Sequence, residues 1–367
     1  MHHPPPSLCV ADALGRTSQS NYYIMDLFTP VLSTSKQHPI FQMLLENRCA
    51  PERQVLSAWA VSFRDRDGKF VREFQSTFES SFWELYLHAA TKIWGLQLDQ
   101  TSASPDFVVK APFPLCIEAT IAAPARGGRS NFGYDVSDIP NNFSQFNAEA
   151  SIRICNSFTA KVKRYRDYYV GLPHVANQPF VVAIAAFDRP LAHFAASRSV
   201  IPAMYGLYHD EAATPPDADN VVSYNVSAAA KSETVNVPMG MFCEASYPEV
   251  SAVIYSSLAT WGKIRALADD PSARTIYQTF HPKAGDLRPE VRRVLKENYI
   301  EHLLDGLFVL HNPFARFPIP SGTFSHPRLA EIRVASNGEL LIDAPEDFLL
   351  VRTLFSVQEH EDGEGAT

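Results

Sequence analysis

The sequence predicts an α/β fold, a mixed central sheet flanked by helices with an additional α+β region toward the C-terminus. Three observations carry this expectation. The apolar run PFVVAIAAF at 179–187 has the length and composition of a central buried strand. Two segments of helical period, 77–94 and 149–170, bracket two short apolar stretches at 106–109 and 114–121. Hydrophobic residues make up 46% of the 367 and charged residues 20%, a globular balance in a chain long enough for one large domain or two ordinary ones.

Taken in chain order, residues 1–50 read as a Pro-rich lead-in that lacks the basic-then-apolar order of a secretory signal. Residues 55–74 show partial alternation around Asp67–Gly68 and predict a hairpin. A helix follows over 77–94, with Gly95 as its stop. Strands at 106–109 and 114–121 lead into an irregular stretch, 123–147, of a length that is usually functional or disordered. The helix over 149–170 and the strand over 180–187 come next, and 190–206 predicts another helix. Residues 209–222 form a polar Pro- and Asp-rich linker, and 223–350 a C-terminal extension or subdomain. Within that region EVSAVIYSSL predicts a buried segment, 287–304 a helix, and 305–320 a strand ending in a turn. Residues 351–367 read as an acidic tail.

Composition narrows the functional classes. Five cysteines, none at metal-knuckle or redox spacing, suit a reduced, cytoplasmic setting, with Cys116 and Cys155 as small core residues. No run approaches the roughly eighteen apolar residues of a membrane span, so no membrane partner is expected. A net charge of −8 argues against a protein that coats nucleic acid, yet leaves room for an enzyme with one local basic groove. The histidines are dispersed, and GGRSNFG lacks nucleophile-elbow spacing.

The chemistry-bearing pattern is carried by acids in apolar surroundings. Asp106 opens one apolar strand and Glu118 sits within the next, and a buried carboxylate is costly unless something neutralises it. The preceding helix is apolar around most of its circumference. Its one polar stripe, Thr77, Ser81, Glu84, His88 and Thr91, is either the only wet face or the wall of a polar site. On the second helix Lys161 shares a face with Ile154, Phe158 and Tyr165, so it either snorkels to water or meets carboxylates. Arg153, Lys163 and Arg164 surround it, and Arg126 and Arg129 lie on the Gly-rich stretch. These side chains and Tyr165 are candidates for phosphate binding, or an ordinary solvated face.

The order of these features resembles the PD-(D/E)XK nuclease superfamily, the restriction-endonuclease-like fold. The matching residues are Glu84 in FWELYLHA, Pro105–Asp106 in SPDF, Glu118 in CIEAT, and Lys161 to Tyr165 in KVKRY, which is similar to that superfamily's QxxxY motif. The resemblance covers about residues 55–205 and places a nuclease-like core at 51–208. It implies a Mg²⁺-dependent (or Mn²⁺-dependent) deoxyribonuclease of endonuclease type. Asp106, Glu118 and Glu84 would be metal ligands and Lys161 a catalytic group, DNA would be the partner, and a homodimer is compatible with this. Thr120 stands where the superfamily has lysine, and Lys161 on the following helix would supply the displaced ammonium. The alternative implied by Thr120 is a catalytically degenerate module that keeps the fold to bind nucleic acid or a partner protein. An unrelated α/β protein would point the two carboxylates to different places.

Overall fold

The computed structural model describes residues 25–215, 217–270 and 273–356. Its helices are α1 (Pro39–Leu44), α2 (Ala50–Ala60), α3 (Phe70–Ser76), α4 (Phe78–Ile93), α5 (Phe143–Asp167), α6 (Val200–Tyr205) and α7 (Trp261–Leu267). The first strands are β1 (Gln97–Asp99), β2 (Phe107–Ala111), β3 (Leu115–Ala122) and β4 (Phe180–Ala186). Two small hairpins follow, β5 (Leu207–Asp210) with β6 (Val222–Asn225) and β7 (Ala228–Ala230) with β8 (Asn236–Pro238). The remainder are β9 (Val250–Ser256), β10 (Thr275–Lys283), β11 (Asp286–Leu295), β12 (Leu307–His311), β13 (Ala330–Val334), β14 (Leu340–Asp343) and β15 (Val351–Ser356).

Eight strands form one mixed sheet in the order β1-β2-β3-β4-β9-β12-β13-β14. β3, β4 and β9 run parallel at its centre, and β2 and β12 flank them antiparallel. All seven residues of β4 and all seven of β9 are buried, as a strand covered on both faces requires. One face packs on α1, α2, α4 and α7 through Phe41, Leu56, Phe82, Trp83 and Ile264, and the other on α5 and α6 through Ile154, Phe158, Val162 and Met204. The mixed sheet with flanking helices therefore matches the predicted class.

Several local expectations are corrected. Residues 55–74 are not a hairpin. Pro51 and Glu52 start α2, and Leu56, Trp59 and Ala60 bury at helical spacing. The Asp67–Gly68 turn is real, with Gly68 at φ 74°, but it links two helices. The Asp65 carboxylate accepts from the Lys69 and Phe70 backbone N–H groups at 3.1 and 3.0 Å and so caps the start of α3. Residues 287–304 are not a helix. Its first half is β11, paired antiparallel with β10 as the edge of a three-stranded sheet, β11-β10-β15. Nine of its ten residues are exposed, so no period-2 burial marks it, and Pro289 is tolerated because an edge strand can forgo one donor.

Residues 190–206 give one short helical turn at Ala192–Ala195 and then α6. The 209–222 linker is the connection of the β5–β6 hairpin. Ile40, Phe41 and Leu44 of α1 are core residues, so 25–50 is not merely a lead-in, while 1–24 lies outside the described residues. Val351–Ser356 is strand β15, and the acidic stretch from 357 lies outside them too. Residues 223–350 supply β9, β12, β13 and β14 to the main sheet, an extension of it.

Candidate active site

The pairing of β2 with β3 runs Val109↔Leu115, Val108↔Cys116, Phe107↔Ile117. One step further sets Asp106 opposite Glu118, an arrangement of like charges that destabilises a bare sheet. Asp106 is fixed by its own geometry, its Oδ2 accepting from the Ala119 backbone N–H at 2.7 Å. Glu118, 3% exposed, receives the Lys161 ammonium on Oε1 at 2.8 Å. That contact crosses from β3 to α5, whose Ile154, Phe158 and Tyr165 pack into the sheet and bring Lys161 with them. The lysine on an apolar helix face thus reaches a carboxylate and not bulk water. Glu118 Oε2 is buried with no hydrogen-bond partner.

Glu84 comes from α4. Thr77 at the start of its stripe is exposed, but Ser81, His88 and Thr91 are buried, and the His88 ring is 2.9 Å from the Trp59 carbonyl oxygen. Burial holds the His88 imidazole down to about 4, so it is neutral at physiological pH. Glu84, Asp106, Arg66, Phe63 and Arg64 line both lobes of a cleft, one of about 490 and one of about 320 Å³. Glu118 and Lys161 lie outside that cleft's lining.

Arg66 was not legible as a site residue. Its guanidinium sits 3.5 Å from Glu84 Oε1 and 3.9 Å from Asp106 Oδ1. It also donates to the Pro105 carbonyl at 2.9 Å and the Ser102 carbonyl at 3.2 Å, so it clamps the turn that presents Asp106. One guanidinium does not neutralise the group. Burial and then the Asp106 charge push Glu84 up to about 8. Burial and then the Glu118 charge push Asp106 up to about 6. Tyr169, also missed from sequence, is shifted upward by burial, by the neighbouring Glu118 charge and by a side-chain interaction of its hydroxyl with the Glu118 carboxylate. Its hydroxyl accepts from Arg164 Nε at 2.6 Å.

The basic candidates divide. Arg164 reaches the carboxylates through Tyr169: its pKa is raised first by Tyr169, to whose hydroxyl it donates, and then by the Glu118 and Asp106 charges. Tyr165 is corrected: it is 6% exposed and packs on Phe180 with ring centroids 4.7 Å apart, so it is a core residue and no phosphate contact. Lys163 is exposed and paired with Asp167 one helical turn on. Arg153 lies eight residues, about 12 Å, along α5 from Lys161. With Arg129, Arg189 and Lys231 it lines a separate groove of about 740 Å³. Arg126 is exposed on the same loop as Arg129.

The oxygens of Asp106, Glu118 and Glu84 are the donor type a hard divalent cation takes, and Glu118 Oε2 makes no well-formed hydrogen bond. Two carboxylates with waters would suffice for Mg²⁺. Among the described residues no three His, Cys, Asp or Glu side chains converge as a ready-made metal cage, so the expected three-carboxylate ligand set is not preformed. No helix among them is long and apolar enough to cross a membrane. Set beside known families, curated proteins and solved structures, the chain matches none.

Proposed function

We propose that this chain is a divalent-cation-dependent hydrolase of nucleic-acid phosphodiesters, DNA being the expected substrate, with the arrangement that its resemblance to PD-(D/E)XK nucleases implies. One observation supports this most: a carboxylate just before β2 facing one on β3, a lysine from the next helix on one oxygen of Glu118, and its other oxygen buried beside the Tyr169 hydroxyl without a well-formed hydrogen bond. A structural ion pair has no need to leave that oxygen unsatisfied.

Asp106 and Glu118 would hold the cation, with Glu84 as a third carboxylate. The bound Mg²⁺ or Mn²⁺ would supply Lewis acidity and acidify a water. Lys161 holds Glu118 in orientation and, on this reading, would supply the ammonium that the superfamily takes from its strand lysine. Arg66 fixes the Asp106 turn. The groove of Arg129, Arg153, Arg189 and Lys231, which Glu149 and Asp188 also line and where Arg189 is paired with both acids and Arg129 with Asp138, offers a track for the phosphate backbone through Arg153 and Lys231.

A second reading, a degenerate module that binds nucleic acid or a partner protein, is favoured by Arg66 standing beside both Glu84 and Asp106 where a cation would compete. Cleavage of plasmid and single-stranded DNA with Mg²⁺ or Mn²⁺ separates the two. The expected result is cutting by wild type and at least a hundredfold loss in Asp106→Asn, Glu118→Gln and Lys161→Met, each checked for folding by thermal melt. A folded wild type that neither cuts nor binds Mn²⁺ in calorimetry would leave the degenerate module.

A further inference from the structure

Among the described residues eight buried polar side-chain atoms lack a hydrogen-bond partner, and three of them belong to residues around one recess. They are Asn131 Oδ1, His193 Nε2 and Arg352 Nε. The recess encloses about 570 Å³ of non-atom space, the open solvent at its mouth included. Phe132, Phe187 and Trp261 add aromatic walls. It opens beyond the C-terminal ends of the parallel strands β4 and β9, at Ala186–Phe187 and at Thr260–Gly262 where α7 begins shortly after β9, the side on which open α/β sheets bind ligands.

Each polar group is held in place. Arg352 is 3% exposed, with Nη1 on Glu301 and Nη2 donating to the Leu258 carbonyl at 2.9 Å, which leaves Nε as its unused donor. His193 is 8% exposed, and burial lowers its imidazole to about 3, so it is neutral. Asn131 sits on the loop that Ser130 ties to Glu79 of α4 at 3.4 Å. Buried polar groups are normally satisfied, and three orphans around one aromatic-walled recess call for a partner with both donors and acceptors.

The neighbourhood narrows that partner. Two segments build both this recess and the basic groove. Gly128 and Arg129 line the groove while Asn131 and Phe132 line the recess, and Arg189 and Pro190 line the groove while Ala192 and His193 line the recess. A polymer whose phosphates follow the groove would have its planar, hydrogen-bonding groups within reach of the recess.

We infer that the Asn131–His193–Arg352 recess is a nucleobase-binding subsite that takes one base out of the strand, reading its edge with polar groups between aromatic walls. The choice of a base over other planar ligands rests on the nucleic-acid reading above, whereas the recess itself does not depend on the carboxylates.

The test is calorimetric titration of the full chain, in EDTA, with the four deoxynucleosides and with benzoate as a planar control. At least one nucleoside is expected to bind and benzoate not to. Asn131→Ala and His193→Phe should each weaken binding at least tenfold with the melting temperature retained, and Asp106→Asn should leave it unchanged. If no nucleoside binds, if benzoate binds as well, or if folded Asn131→Ala binds as wild type does, the subsite is overturned. Nucleoside binding by a chain that never cuts DNA would sink the hydrolase reading alone.

Discussion

The carboxylate cleft and the buried network of Lys263, Glu301 and Arg352 use the same side-chain types and reach opposite electrostatic states. In the network, the side chains of Lys263, Glu301 and Arg352 are all buried. Every Glu301 oxygen is occupied, Oε1 by Lys263 and Arg352 and Oε2 by the Tyr299 hydroxyl at 2.5 Å. Lys263 also donates to the Asp305 carbonyl at 2.8 Å. Burial alone would raise Glu301, but the charges of Arg352 and Lys263 more than offset it, and its pKa is lowered. In the cleft Glu84 and Asp106 move the other way, and Glu118 keeps an unpaired oxygen. Saturated acceptors with depressed carboxyls mark a structural cluster. Raised carboxyls with spare acceptors mark a cluster that lacks positive charge.

The largest effect should come from breaking the saturated cluster. Glu301→Gln strands two buried cations, and urea unfolding should show a loss of about 3–5 kcal/mol. A loss below about 1 kcal/mol would mean that the network does not support the fold as described.

The next test uses pH. Unfolded Glu and Asp titrate near 4.5 and 3.8, whereas folded Glu84 and Asp106 titrate near 8 and 6. Between those values the folded state holds protons the unfolded state has shed. Their contribution to stability is therefore fully present below the unfolded pKa values and lost as pH rises through about 6 and then 8. Metal-free wild type should lose stability from pH 5 to 8.5. Glu84→Gln should flatten most of that slope and gain about 1–2 kcal/mol at pH 8.5, the partly exposed site discounting the full shift. Mn²⁺ should bind more tightly as pH rises over the same interval, because its ligands must release protons. A pH-independent affinity would contradict the raised carboxyls. The smallest effect belongs to the solvated Lys163–Asp167 pair: Lys163→Ala should change the unfolding free energy by less than about 0.5 kcal/mol.

The part of the site legible in the sequence is the part carried by period. Glu84 in a helix stripe, Asp106 and Glu118 in apolar strands and Lys161 on an apolar face all contradict their local composition, and such contradictions are visible without coordinates. Arg66 was hidden because 55–74 was expected to be a hairpin. The start signal of α2, Pro51 with Glu52, was present and would have pointed to helices and a capped turn. Tyr169 follows the end of α5 in a short 3₁₀ turn, where no period singles out one aromatic. The segment 287–304 is rich in helix-forming Leu, Arg, Lys and Glu, and a strand solvated on both faces leaves no alternation to oppose them. Asn131, His193 and Arg352 are 221 residues apart from first to last, so only the folded chain could bring them together.

The parallel junction of β4 with β9 has a consequence for how the chain can be divided. Its Pro- and Asp-rich stretch at 209–222 looks like a natural cut point, yet the two central strands of the sheet lie on either side of it. A fragment ending at 208 would present β4, seven apolar residues with a row of open backbone donors and acceptors, as a bare edge. Such an edge templates the addition of further chains. Cutting the chain at this visible seam would therefore expose a core edge in each half, and fragments for expression should keep the whole sheet.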